Sequence, residues 1–298
     1  MQTVGILGLP WVFGNERKGT GLGPFAIRYT GLVASLASYG AKIQDFHNMP
    51  FFTEFEEELF LTDGLKAITS KVYEASDVIG TMLDKTSTSL ILAGDEWNSL
   101  AVFKAAQKND PDSVYILLDA NAHISLTELD CSLPPGRGLL RTIIGKGEAR
   151  TVDLFADCIV KPSNLSVLGT RRVPQSDEAC LEQLGICHFD MTEIDKVGFG
   201  KVTDQLLKWL YRKQRPIHLL IDVDAIDPAF APGVDHISSG GLYYREMDYL
   251  MQNLALGAPL RSITVLGLNP LHDDANKSAK FISTILESYF VTFFHKSK

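Results

Sequence analysis

Basic residues are in the minority in this sequence. Its 28 Lys and Arg stand against 36 Asp and Glu, for a net charge of -8 and an isoelectric point near 5.4. Nucleic acid and anionic membranes both reward clustered cationic side chains, so neither is expected as the main partner. No apolar run reaches the ~20 residues that a membrane-spanning helix needs. The most apolar stretch, Phe281 to Phe294, is broken by Ser283, Thr284, Glu287, Ser288 and Thr292. Cysteine is scarce: Cys131, Cys158, Cys180 and Cys187 are scattered outside any zinc-ligand spacing. That pattern points to reduced thiols rather than a disulfide framework, although Cys180 and Cys187 are close enough in sequence to permit a redox pair. The opening Met1-Gln2-Thr3-Val4-Gly5-Ile6 lacks a basic leader and reads as a strand. No signal peptide is therefore expected, and a cytoplasmic location is the default. Internal repeats, low-complexity tracts and Pro-, Gly- or Ser-rich linkers are also missing, so residues 1–298 are read as one domain.

What is present is ordinary globular composition, 45% hydrophobic and 21% charged, with a strong alternation of patterns. Short apolar runs predict strands at Thr3–Leu7, Lys42–Asp45, Ser89–Leu92, Val114–Leu118, Ser166–Leu168, Ile186–Phe189, Ile217–Ile221 and Ser262–Leu266. Several are nearly unbroken in Val, Ile and Leu, which suits strands covered on both faces. Segments of helical period lie between them, including Asp204–Lys213, Arg245–Leu254 and a last one marked by Ile282, Ile285, Leu286, Tyr289, Phe290 and Phe293. Strand and helix in alternation predict an α/β domain with a parallel sheet. Two long connections, Asp119 to about Ile144 and Thr170 to Cys180, leave strand ends and are expected to be functional.

Ligands of open parallel sheets sit at the carboxyl ends of the strands. Here those ends carry acids: Asp95 after Leu92, Asp119 after Leu118, and Asp222 with Asp224 after Ile221. Converging carboxylates repel and resist desolvation unless a cation or protons offset them. Asp95 reads as a helix N-cap ahead of Trp97. In Asp222-Val223-Asp224-Ala225-Ile226-Asp227-Pro228 the alternate acids share one face of an extended chain, as hard divalent cations require.

At that run the sequence resembles the ureohydrolase superfamily, and arginase in particular. Pro216 to Pro232 is similar to the family's aspartate signature almost residue for residue, and Gly240-Gly241-Leu242-Tyr243-Tyr244-Arg245-Glu246 continues it. Gly19 to Leu32, with Pro24 and Arg28, resembles the family's first loop and helix, and Leu268-Asn269-Pro270 the segment after its last long strand. The resemblance implies a three-layer α/β fold with a central eight-stranded parallel sheet, and a homo-oligomer, expected to be a trimer. It also implies, for active members, two Mn²⁺ ions whose bridging hydroxide attacks the guanidinium carbon. Coordination matters there because free water has a pKa of about 15.7.

The resemblance also shows where this chain departs. The family's Gly-Gly-Asp-His is Ala93-Gly94-Asp95-Glu96, placing Glu96 at a His ligand position. Its Asp-Ala-His-x-Asp is Asp119-Ala120-Asn121-Ala122-His123: Asp119 is kept, Asn121 replaces a His ligand and His123 an Asp ligand. Asp222 and Asp224 are kept. The position of the family's guanidinium-pairing glutamate is Gly267, and no histidine stands at the proton-shuttle position near Leu133-Pro134-Pro135-Gly136. The loop that would grip the substrate's amino group reads Arg171-Arg172-Val173-Pro174-Gln175-Ser176-Asp177, with an acid only at Asp177 and with Arg171 and Arg172 expected as solvated rim charges friendlier to anions. The expectation is a protein with no catalytic residues for arginine hydrolysis and no bound manganese or other cofactor, in which a protonated His123 pairs with Asp119 or Asp222. It would bind a small molecule or a protein partner. A manganese arginase with an unusual ligand set, or a hydrolase of another substrate, are the alternatives.

Overall fold

Unbroken Val, Ile and Leu runs can bury both faces of a strand, and the computed structural model uses them in that way. It describes residues 2–13, 19–52, 63–121, 124, 138–171 and 173–296. Among these, eight strands form one sheet: β1 (Thr3–Leu9), β2 (Lys42–Asn48), β3 (Thr88–Ala93), β4 (Val114–Leu118), β5 (Leu165–Thr170), β6 (Cys187–Asp190), β7 (Ile217–Asp222) and β8 (Ser262–Leu266). Their order is β2-β1-β3-β8-β7-β4-β5-β6, and every pairing is parallel. All eight runs forecast from the sequence are strands, with ends displaced by at most a few residues.

The two faces of each strand feed two cores. Ile116, Leu118, Leu219, Ile221, Ile263 and Val265 point toward the helices Leu32–Ser38, Phe199–Lys213, Tyr244–Gly257 and Lys277–Lys296. Tyr115, Leu117, Leu220, Ile91 and Leu266 point the other way, toward Gly64–Lys85, Leu100–Asn109 and Leu139–Ile143. The period-two alternation thus makes the sheet the middle of three layers. The predicted helices fall within Phe199–Lys213, Tyr244–Gly257 and Lys277–Lys296, and the face marked by Ile282, Ile285, Leu286, Tyr289, Phe290 and Phe293 is buried.

Among the described residues no helix is long and apolar enough to cross a membrane. Cys158, Cys180 and Cys187 are free. Cys180 packs against one core and Cys187 against the other, so the redox pair that their spacing permits does not form. Cys131 lies outside the described residues.

β8 and β7 are inserted between β3 and β4, although the chain passes directly from β3 to β4 in sequence. The loops leaving β3, β8, β7 and β4 therefore open side by side at one edge. That is the switch-point arrangement at which α/β sheets place ligands.

Candidate functional site

Each of those four strands contributes to the edge. Beyond β3, Asp95 caps the short turn Glu96–Ser99 by accepting from the Trp97 N–H at 3.1 Å, and it also accepts from the Asn98 amide and the Phe13 N–H. The N-cap reading of Asp95 holds. Glu96 follows it, half-buried, with its charge felt by both Asp119 and Asp222.

After β4, the Asp119 N–H donates to Leu168 O, and its Oδ1 accepts from the Asn121 N–H at 2.7 Å. The Asn121 side chain turns its Nδ2 toward Asp224 Oδ2, at 3.3 Å. Asp224 Oδ1 accepts from the Ala120 N–H at 3.2 Å. Asp222, the last residue of β7, accepts from the Asp224 N–H at 3.0 Å and so caps the turn Val223–Ala225.

Gly267, just past β8, has φ +74, and its N–H donates to Gly94 O. A Cβ at that position would lie 2.6 Å from Asp222 Oδ1. The volume that a side chain at 267 would need is already filled by the Asp222 carboxyl.

The electrostatics follow from this crowding. Burial, and then the charge of Asp224, push Asp119 well above the usual carboxylate range, with Glu96 adding to the rise and the Asn121 N–H and Arg171 opposing it. Asp222 is raised by burial first and then by Asp224 and Asp119. Asp224 is raised too, by burial, against the Ala120 N–H, Arg171, a hydrogen bond with Asp222 and the nearby His236. The acids of this edge therefore favour holding protons among themselves.

Arg171 corrects the sequence reading. Instead of a solvated rim charge it is buried, 8% exposed, just past β5. Its fork donates to the Gly169, Ala225, Asp224 and Ser238 carbonyls and to Ser238 Oγ. Those acceptors come from segments far apart in sequence, so no local pattern could announce the burial. Asp227 also departs from the metal-gripping set suggested by the run of acids: its carboxylate accepts from the Ala229, Gly240 and Gly241 N–H groups and anchors a loop. Asp177, in the first turn of the helix Gln175–Leu184, is buried and accepts from the Ile124 N–H at 3.4 Å, tying that helix to the loop after β4. His123, Arg172 and the Leu133–Gly136 stretch lie outside the described residues.

Sequence reasoning missed the loop between Asp227 and Gly240. His236, exposed, acts on Asp224. Asp235 Oδ1 accepts from Asn269 Nδ2 at 2.5 Å and lies 3.2 Å from His272 Nδ1. The adjacent Asp235-His236 in a Gly-rich loop was the available signal.

Chemically the edge offers carboxyl groups, an amide donor and a buried guanidinium. Among the described residues no group of three or more His, Cys, Asp or Glu side chains is placed to hold a metal ion. Among the described residues, two hydroxyl–imidazole pairs are Thr170 with His188 at 2.5 Å and Ser262 with His218 at 2.7 Å. Both hydroxyl residues are 0% exposed, so neither has the access that a nucleophile needs.

Known proteins match over the same span. The pattern defining the Arginase family fits residues 2–291. The chain is 29% identical to an arginase of Brevibacillus brevis, covering 97% of this chain and 98% of that one. It is 30% identical to the arginase-1 of Bos taurus, covering 90% and 85%. The crystal structure of the arginase from Bacillus subtilis superposes with a TM-score of 0.85 at 27% identity, covering 97% and 98%.

Proposed function

We infer the function from one premise: the chain belongs to the arginase family. Its sheet edge is read as a pocket that works without a binuclear manganese cluster. The protein is a pseudoenzyme that does not hydrolyse arginine and instead binds a small molecule or a protein partner, as a cytoplasmic homo-oligomer, by family analogy a trimer.

The observation that carries this reading is the chemistry of the donor set: Glu96 and Asn121 stand where the resemblance places histidine ligands. At Asn121 a neutral amide, 3.3 Å from Asp224 Oδ2, replaces an imidazole lone pair and is a weak ligand for a divalent ion. The Asp222 carboxyl sits against Gly267 and is engaged by the Asp224 N–H. The donor set among the described residues does not fit two divalent ions, since hard cations accept little deviation in ligand distance.

Metal analysis of protein purified in excess MnCl₂, combined with a urea-release assay on arginine, tests the reading. Substoichiometric manganese and no urea above background are expected. Two equivalents per chain together with urea would overturn it.

A further inference from the structure

We propose that the carboxyl edge of the sheet docks a protein segment in which a lysine or arginine stands between large apolar residues. The cation enters among the acids, and its neighbours lie on the surrounding rim. This rests on the metal-free reading and narrows its range of ligands to one kind of partner.

Two independent features of the edge meet in that occupant. The first is apolar. Leu22 and Phe25 follow β1, Phe51 follows β2, Ile237 follows β7 and Leu271 follows β8. All are exposed, Ile237 at 69% and Leu271 at 68%. Single exposed apolar residues are ordinary, but a connected group marks an interaction surface. Phe25 and Phe51 stack with their ring planes 9° apart. Asn269 donates to Asp235 Oδ1, the oxygen that also lies 3.2 Å from His272 Nδ1, and so ties the loop of Ile237 to that of Leu271. A Cβ on Gly23, next to Leu22, would lie 2.7 Å from Leu268 O, so the segment after β1 packs on the segment after β8 as well.

The second feature is charge. Glu96, Asp119, Asp222 and Asp224 are half-buried rather than sealed, so solvent reaches them. The backbone N–H groups of Asn121, Asp224 and Ala120 and the Asn121 amide donate to the three aspartates, and all of these donors are neutral. Arg171 is buried on the same edge with its fork donating to carbonyls, and the exposed His236 and His272 are cationic only when protonated. The edge leans negative, and an ammonium or guanidinium complements it. Width then favours a protein over a small molecule. The strands β2, β1, β3, β8 and β7 are consecutive in the sheet. At about 4.8 Å per strand, the rim from Phe51 to Ile237 extends about 20 Å. An extended segment of about six residues covers that length, and a free amino acid or amine does not.

Fluorescence anisotropy with the labelled peptide Gly-Gly-Leu-Phe-Lys-Phe-Leu-Gly-Gly and its arginine-centred and glutamate-centred counterparts tests the proposal. Both cationic peptides should bind, and the glutamate peptide at least ~10-fold more weakly. Free lysine amide, which lacks the apolar neighbours, should compete at least ~100-fold less well than unlabelled lysine peptide. The double variant Ile237→Ser, Leu271→Ser should weaken the lysine peptide by about 10-fold. The control pair Tyr211→Ser, Leu256→Ser should leave it unchanged, because those exposed residues lie near the helix ends that precede β7 and β8, at the amino edge. All four positions are exposed, so both variants are expected to fold. Absence of binding by both cationic peptides, equal binding by the glutamate peptide, lysine amide competing as well as the peptide, or a rim variant that binds like wild type would each overturn the proposal. Failure of the metal-free reading is read separately, as two manganese equivalents per chain, whatever the peptides do.

Discussion

In the middle of the sheet His218 lies nearly flat against Tyr115, with ring centroids 5.3 Å apart and planes inclined by 24°, and its Nδ1 is 2.7 Å from the Ser262 hydroxyl. At the carboxyl edge of the same sheet Asp119, Asp222 and Asp224 crowd together with Asn121 and Arg171 around them. Desolvation is the largest influence in both places. In the middle it selects neutral forms, driving the imidazole down to about 3 and the Tyr115 hydroxyl well above its usual range, and the cluster then closes on itself through Ser262 and Gln107. At the edge several groups of one sign remain, and neutrality has to be imported as protons, hydrogen-bond donors or a cation. A buried site that closes on itself is core; one that still needs outside charge can take a ligand.

The contrast should appear most strongly in the pH dependence of stability. His218 is depressed in the folded state, so the unfolded chain takes up a proton that the folded chain refuses. Its contribution is complete above about pH 6.5 and is lost as pH falls toward 3, by as much as roughly 5 kcal/mol. Asp119 and Asp222 are raised, which reverses the sign: their contribution is complete below the ordinary carboxylate value and is lost as pH rises through the raised one. Urea unfolding between about pH 4 and pH 7 should therefore show a steep acid limb that flattens in His218→Phe, while Asp119→Asn alters the limb of opposite slope. An acid limb of equal steepness in wild type and His218→Phe would remove the mid-sheet half of the comparison.

A smaller effect distinguishes a glycine pressed against the acid pocket from one in open space. Gly267 and Gly185 share the left-handed backbone, with φ +74 and +68. Among the described residues nothing lies within 4 Å of the place a methyl group would take on Gly185, whereas at Gly267 the Asp222 Oδ1 is 2.6 Å away. Gly185→Ala should cost about 1 kcal/mol from backbone strain alone. Gly267→Ala adds displacement of the carboxyl and should cost about 3 kcal/mol. Equal losses for the two variants in urea unfolding would mean that Asp222 yields freely and is not held by its neighbours.

What could be read in the sequence follows the range of the interactions. The strands were legible because runs such as Leu90-Ile91-Leu92 declare burial on both faces without reference to partners. Asp95 was legible as a cap because its acceptor role is fulfilled two residues away, at Trp97. Arg171 was not, since its burial is decided by carbonyls at 169, 224, 225 and 238. Asp227 stands in the same run as Asp222 and Asp224, but which groups it serves depends on the fold bringing Gly240 and Gly241 to its oxygens. For Gly267 the family resemblance told only what was missing; that Asp222 fills the space depends on β7 and β8 being neighbours.

The smallest expected effect compares one hydrogen bond in each cluster. Asn121→Ala removes the Nδ2 donor to Asp224, and both residues are half-buried, so water can take its place. The cost should be about 1 kcal/mol. Ser262→Ala removes the partner of His218 Nδ1 where both residues are at most 2% exposed and water has no route in, so the cost should be nearer ~2 kcal/mol. If Asn121→Ala proved the costlier of the two, the amide would be holding the acids apart rather than merely satisfying one of them.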